Sequence, residues 1–389
     1  MIVMEFDAIL NDMPEAPMQP PRKAFGSEVN FEIILQRGGA FALFVVSILL
    51  VVWAFGLLER GLLDPYPPEL SERHEEFKQL SGFDNVTTSG NGVEVCIVDT
   101  GIDLGHPDLS HVELAGWRDF VSNRGEPYDD QGHGTGMAGI LVAKNRLPGI
   151  APDVDLYIAK AISKSGTGSD TDIADAVDWC VENNVDIISL SLGGAQGIDW
   201  IFIETDALED AVDRAIDEGI FVVAAAGNDG GPDDDGDVAS PGSVSDVICV
   251  GAIDTDGTIW SNSSVGNNGF NPPETWFPRQ DPDKKPELVA PGEKLPILNA
   301  QIGTDVLYAW GSGTSGATVW VSGAIAHLLE HRPDLGQNGS SGGSRNTVED
   351  VKGWIKDSVA PKDGQAEHDN YYGYGRLQVD ALLAMGGQA

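Results

Sequence analysis

Short, almost wholly apolar runs alternate with amphipathic stretches through the last three quarters of the chain. Val93 to Val98, Leu156 to Ala159, Val185 to Leu190, Ile220 to Ala225 and Val247 to Val250 are four to six residues long and rich in branched side chains. Such runs suit parallel strands buried on both faces. Between them, Thr171 to Asn183 places Ile173, Ala176, Val177 and Cys180 at three-to-four spacing, and Ala207 to Glu218 does the same with Leu208, Ala211, Val212, Ala215 and Ile216. That period predicts helices with one apolar stripe. Strand and helix in turn predict a doubly wound α/β domain with a mostly parallel sheet, helices on both faces and ligands at the carboxyl ends of the strands.

The pattern changes toward the N-terminus. Residues 1–37 are polar, carry Pro14, Pro17, Pro20 and Pro21 and show no sustained period, as expected of a loosely ordered tail. Residues 38–58 hold no charge, and a helix of 21 residues would reach about 31 Å, the thickness of a bilayer's hydrocarbon core. We read this stretch as one transmembrane helix rather than a cleaved signal peptide, because the preceding segment is long and acidic and no small-residue cleavage site follows Leu58. Arg22, Lys23 and Arg37 before it, against Arg60 just after it, favour a cytoplasmic N-terminus, so the expected location is the cell membrane, single-pass, with the globular part extracellular. Residues 59–85, marked by Pro65, Pro67 and Pro68, read as a linker, and 86–389 as the globular domain.

Composition narrows the partners. The 389 residues carry 23 Lys and Arg against 61 Asp and Glu, a formal net charge of −38. A surface this acidic repels nucleic acid and anionic lipid headgroups and is expected of a protein adapted to high salt, as in a halophile. Cys96, Cys180 and Cys249 are odd in number and lack metal-ligand spacing, so buried small hydrophobes are expected rather than a disulfide framework or a zinc site.

Three separated segments carry the candidate chemistry. Asp99-Thr100-Gly101-Ile102, His133-Gly134-Thr135-Gly136-Met137-Ala138-Gly139 and Gly313-Thr314-Ser315-Gly316-Ala317-Thr318 each place one member of an Asp, His, Ser set among glycines. A serine hydroxyl is a weak nucleophile until an imidazole takes its proton, and the imidazole needs a carboxylate to fix its tautomer. Four further stretches fall in order with these: Ser189 to Gly194, Ala224 to Asn228, Leu288 to Gly292 and Tyr372 to Leu377. Together they resemble the subtilisin-like serine proteases, the subtilases, over nearly the whole globular part.

The resemblance implies a serine endopeptidase acting on extended polypeptide. Ser315 would be the nucleophile, His133 the general base and then acid, Asp99 its orienting carboxylate, and Asn228 an oxyanion donor beside the Ser315 amide. Ser191, Leu192, Gly193, Gly194, Ala225 and Gly227 would bind substrate, with the chain paired along the strand edge. The alternative is a catalytically silent or single-partner subtilase fold that binds peptides at the membrane. Gly316 and Val319 stand where the family usually has Met and Pro, bulky Trp320 follows, and Gly136 replaces a second His. No cofactor is required by this chemistry. Calcium is common in the family, yet Ala143 to Ala151 is short and offers few oxygen ligands; Asp229, Asp233, Asp234, Asp235 and Asp237 offer others, with a solvated acidic loop as the simpler account. Oligomeric state is not legible in the sequence. Residues 266–286, with Pro272, Pro273, Pro278 and Pro282 plus Trp276 and Phe277, read as an inserted binding or covering loop, and 337–344 as a flexible one.

Overall fold

The computed structural model describes residues 45–53, 68–193, 207–231, 234, 236–270 and 277–387. The chain divides into two units, 1–64 and 65–389. In the first, residues 45–53 form a helix (α1) with exposed apolar side chains. The rest of the apolar stretch 38–58 lies outside the described residues, and among those described no helix is long and apolar enough to cross a membrane.

The second unit is built on a seven-stranded sheet: β1 (Glu94–Asp99), β2 (Gly116–Asp119), β3 (Asp155–Lys160), β4 (Ile187–Leu190), β5 (Phe221–Ala225), β6 (Ile248–Ile253) and β7 (Leu288–Pro291). Their order is β2-β3-β1-β4-β5-β6-β7, every pair parallel. β1 lies between β3 and β4, so the winding reverses at its carboxyl end, where a doubly wound sheet opens a crevice. All five predicted strands are present. Helices α3 (His133–Val142) and α6 (Thr314–His331) pack together in one layer, and α4 (Asp170–Glu182) with α5 (Ala207–Asp217) in the other. Residues 314–329 of α6 are all buried, which accounts for a sequence apolar or small on every side. A two-stranded ribbon, β8 (Leu295–Leu298) and β9 (Tyr308–Gly311), precedes α6, and α7 (Arg345–Ser358) and α8 (Val379–Gly386) close the unit.

Two expectations are corrected. The stretch read as the end of a linker folds into the body: α2 (Pro68–Leu80) buries Leu70, His74 and Phe77, spaced four and three apart, and these sit on one helical face. Phe77, His74 and Phe83 surround Trp320 of α6, with ring centroids at 6.3, 5.9 and 5.2 Å. The charged outer face of α2 hid this stripe from a composition-based reading. Cys96 and Cys180 are also not separate small hydrophobes: they form a disulfide between β1 and α4, with Cα atoms 6.0 Å apart, while Cys249 is buried and free. Buried facing positions of two packed elements bring the sulfurs together, a relation that spacing 84 residues apart in sequence conceals.

Where the chain enters β6 and β7 lies a largely buried ionic cluster. Lys285 and Lys352 both reach Glu287 Oε1 at 2.8 Å, both contact Asp283, and both donate to the Val247 carbonyl. Burial opposes ionisation of Asp283, yet the two ammonium groups outweigh it and hold its carboxyl far below the ordinary range.

Candidate active site

Asp99 ends β1 at the crevice, and α3 begins with His133 directly against it. The approach is close because neither contact residue has a Cβ: one on Gly134 would fall 2.2 Å from the Gly101 carbonyl oxygen, and one on Gly101, at φ 112°, would fall 2.0 Å from the Tyr128 oxygen. His133 Nδ1 lies 2.8 and 2.9 Å from the two Asp99 oxygens. A carboxylate can only accept, so Nδ1 carries the proton and Nε2 of the neutral ring is left basic. Burial disfavours the imidazolium, but the charge and hydrogen bond of Asp99, helped by Asp129, prevail and raise the His133 pKa above its ordinary 6.5.

Asp129 sets the start of α3. Its Oδ1 accepts from the Gln131 and Gly132 amides at 3.0 and 2.8 Å, and its Oδ2 from the Thr135 amide and hydroxyl at 3.0 and 2.7 Å. This satisfies first-turn donors that a helix leaves open and adds negative charge at the positive end of its dipole. Beneath the Asp99 turn, fully buried Lys160 donates to the Thr100 and Ile162 carbonyls at 2.6 and 3.0 Å and pairs with Asp130 at 2.8 Å. Neither Asp129 nor Lys160 stood out in the sequence. Their signal was only an Asp four residues before a candidate histidine and a lysine inside an apolar strand.

Ser315 is the second residue of α6, and its backbone N–H is one of the first-turn donors without an intrahelical acceptor. The Ser315 hydroxyl donates to the Ser191 carbonyl at 3.2 Å, and the Ser191 hydroxyl donates to the Ser315 carbonyl at 3.0 Å. No hydrogen bond joins Ser315 to His133 in this state. Asn228 Oδ1 accepts from the Thr314 amide at 2.9 Å, and the Thr314 hydroxyl lies at the same distance. Because a backbone N–H can only donate, the atom facing it is the oxygen, and the Asn228 –NH₂ is turned the other way.

A cavity of about 610 Å³ is lined by Asp99, His133, Ser191, Leu192, Gly193, Asn228 and Ser315. Gly193 packs against Ala239 and Gly227, so a side chain there would occupy the gap between the two walls. Ala225, the last residue of β5, and Gly227 are buried, and neither is among the residues that line this cavity. Gly194 lies outside the described residues.

The unusual residues of α6 are explained by their neighbours. A Cβ on Gly316 would fall 2.2 Å from Leu295 Cδ1, so the β8 leucine fills the space a side chain there would need. Trp320 occupies the space under α2.

The 143–151 loop does not fit a calcium ion. Residues 143–151 spend their backbone on close turns, Gly149 N to Ala143 O at 2.7 Å and Leu147 N to Asp108 at 3.2 Å, and Lys144 pairs with Asp153. Asp234 accepts from Gly236 and Val265 amides, Asp237 pairs with Arg279 at 2.9 Å, and Asp229 takes the Ser264 hydroxyl. Asp233 and Asp235 lie outside the described residues. Among the described residues no group of three or more carboxylate, histidine or cysteine side chains is arranged to hold a metal.

Comparison with known proteins agrees with this architecture. The profile of the subtilase family, Peptidase S8, matches residues 90–375. Serine protease AprX of Bacillus subtilis is 34% identical over 76% of this chain and 66% of its own length. Subtilisin DY of Bacillus licheniformis is 33% identical over 75% of the chain and 91% of its own. The chain thus spans about two thirds of AprX and most of subtilisin DY. Among solved structures, a cold adapted subtilisin-like serine proteinase superposes with a TM-score of 0.55 at 25% identity, covering 76% of this chain and 89% of the other. The chain belongs to the subtilase family of serine-type peptidases.

Proposed function

We propose that this chain is a serine endopeptidase that cuts extended polypeptides with Asp99, His133, Ser315 and Asn228. The observation that carries the reading is the Asp99–His133 pair and the oriented Asn228 amide on the walls of one cavity with Ser315.

Rotation of the Ser315 hydroxyl away from the Ser191 carbonyl turns it toward His133 Nε2. That nitrogen takes the hydroxyl proton as Oγ bonds to the scissile carbonyl carbon, and Asp99 stabilises the imidazolium. The negative charge then developing on the carbonyl oxygen meets the Asn228 –NH₂ and the Ser315 N–H at the positive end of α6. His133 returns its proton to the leaving amine, and water repeats the sequence to free the acyl group. Substrate extends along Leu190 to Gly193, where backbone pairing sets its register.

We further propose that 38–58 anchors the protein in the cell membrane with the catalytic unit outside, and that the carboxylate-rich surface suits high salt. The Cys96–Cys180 disulfide supports an oxidising compartment.

The test is hydrolysis of a chromogenic peptide library by the full chain in molar salt, beside Ser315→Ala. Turnover that disappears in the variant is the expected result. A folded wild-type protein that binds peptides without cutting any of them establishes the silent fold instead.

A further inference from the structure

Lys160 is a fully buried cation to which the proposed reaction gives no task. An ammonium out of water persists only where hydrogen bonds and a counter-charge satisfy it. Those of Lys160 fall on separate pieces of backbone. It donates to the Ile162 carbonyl just past β3 at 3.0 Å, to the Thr100 carbonyl in the turn after β1 at 2.6 Å, and to Asp130 Oδ1 in the turn that opens α3 at 2.8 Å. Lys160 and Asp99 are also partners in the register of β3 and β1, so their side chains leave the same face of the sheet. Thr100 carries the hold onward. Its amide donates to Asp99 Oδ1 at 2.6 Å, and its hydroxyl oxygen accepts from the Gly134 amide, next to His133, at 2.8 Å.

We infer that Lys160 is a positioning residue for peptide-bond cleavage: its ammonium fixes the turn after Asp99, so that both carboxylate oxygens stay on His133 Nδ1. The inference rests on the peptidase reading above. Without the ammonium, the Thr100 and Ile162 carbonyls lose their shared donor and the turn is free to rotate, taking the Asp99 carboxylate with it. A misplacement of about 1 Å is enough to cost about 10²-fold in rate. Other ionisable groups face the pair and the ammonium. Asp129 holds the first turn of α3, Asp119 of β2 accepts the Tyr128 hydroxyl, and the Tyr128 ring lies 4.8 Å from Lys160 Nζ. Asp170 stands on the wall of the cavity that His133 also lines. None of these reaches the Thr100 carbonyl, which leaves its placement to Lys160.

Lys160→Met alone would also change the charge beside the pair, so the experiment removes the Asp130 charge with it. In the full chain, Lys160→Met/Asp130→Asn has the net charge of wild type and lacks only the hydrogen bonds. Asp130→Asn alone, at a side chain 36% exposed, keeps the ammonium on both carbonyls and is the reference. The double variant is expected to lose about ten- to a hundredfold in kcat with KM within about twofold, and Asp130→Asn to stay within about threefold of wild type. NMR titration of His133 in the same proteins reads the contact without turnover. By charge alone the double variant would keep the wild-type midpoint, whereas a loosened Asp99 brings it down toward 6.5 and weakens the low-field Nδ1–H signal. If the double variant does not fold, Lys160→Gln with Asp130→Asn keeps an amide donor in the slot, and its kcat and midpoint are expected between those of wild type and 6.5 with full loss. Wild-type kcat and midpoint in whichever of the two folds overturn the role of Lys160. A folded wild type that cuts no peptide overturns the peptidase reading, and the His133 midpoints then decide by themselves whether Lys160 holds Asp99 in place.

Discussion

The Thr314 amide holds the Asn228 side-chain oxygen at 2.9 Å, so the residue beside the candidate nucleophile also sets the direction of the candidate oxyanion donor. Thr314→Val keeps the branched shape and removes the hydroxyl. It is expected to lower kcat about tenfold with KM within twofold. Asn228→Ala is expected to lower kcat by about 10²–10³, the size measured for loss of the oxyanion asparagine in a subtilisin. The double variant should be no slower than Asn228→Ala alone, since both act through one amide. Steady-state kinetics of the three proteins checks this.

In the proposed mechanism Nε2 of His133 serves as base only while the ring is neutral. Because Asp99 raises its pKa, kcat/KM is expected to fall as pH drops through a midpoint above 6.5, and Asp99→Asn should move the midpoint down. The linkage to stability has the opposite sense. A folded pKa above the unfolded one stabilises the protein fully below about pH 6.5 and ceases to do so as pH rises through the folded value.

His74 responds the other way. Burial, with the nearby Lys78 charge, lowers its pKa to about 4, against a weaker upward pull from the Pro148 backbone. Between pH 4 and 6.5 the unfolded chain binds the proton and the folded chain resists it. Stability is expected to decline by roughly 3 kcal/mol as pH falls across that window, and His74→Leu should remove this part of the slope. Urea unfolding at several pH values decides it.

Glu287→Gln leaves Lys285 and Lys352 buried with one carboxylate between them. The expected loss is about 3–5 kcal/mol by denaturant unfolding, far beyond that of an exposed pair such as Lys144–Asp153.

Titration of the unfolded, unreduced protein should find one free thiol, Cys249, and three after reduction. Cys180→Ala removes a link across 84 residues of sequence and is expected to cost about 2–5 kcal/mol.

What the sequence disclosed followed the range of the physics involved. The strand that ends in Asp99 and the strand that leads to Asn228 were legible because burial on both faces leaves a continuous apolar run. The glycines beside His133 and Ser315 marked close packing. Lys160 and Thr314 act through hydrogen bonds that form only once β3 meets the turn after β1 and α6 meets the turn after β5, whereas Asp129 acts locally, on the amides of the turn that opens α3. The pairing of Cys96 with Cys180 needed the packing of α4 on β1, and α2 was obscured because its polar residues outnumber its three-residue apolar face.

The helix that carries Ser315 in its first turn is braced about a turn and a half further on by Phe77 and His74 of α2 around Trp320. A cut between Leu58 and Pro65 would therefore leave this brace attached to the second unit. A cut after Leu80 would strip it from the helix that aims the nucleophile. Keeping the brace and losing it are thus separated by some twenty residues of the same polypeptide, and the position of the first nick decides which one occurs.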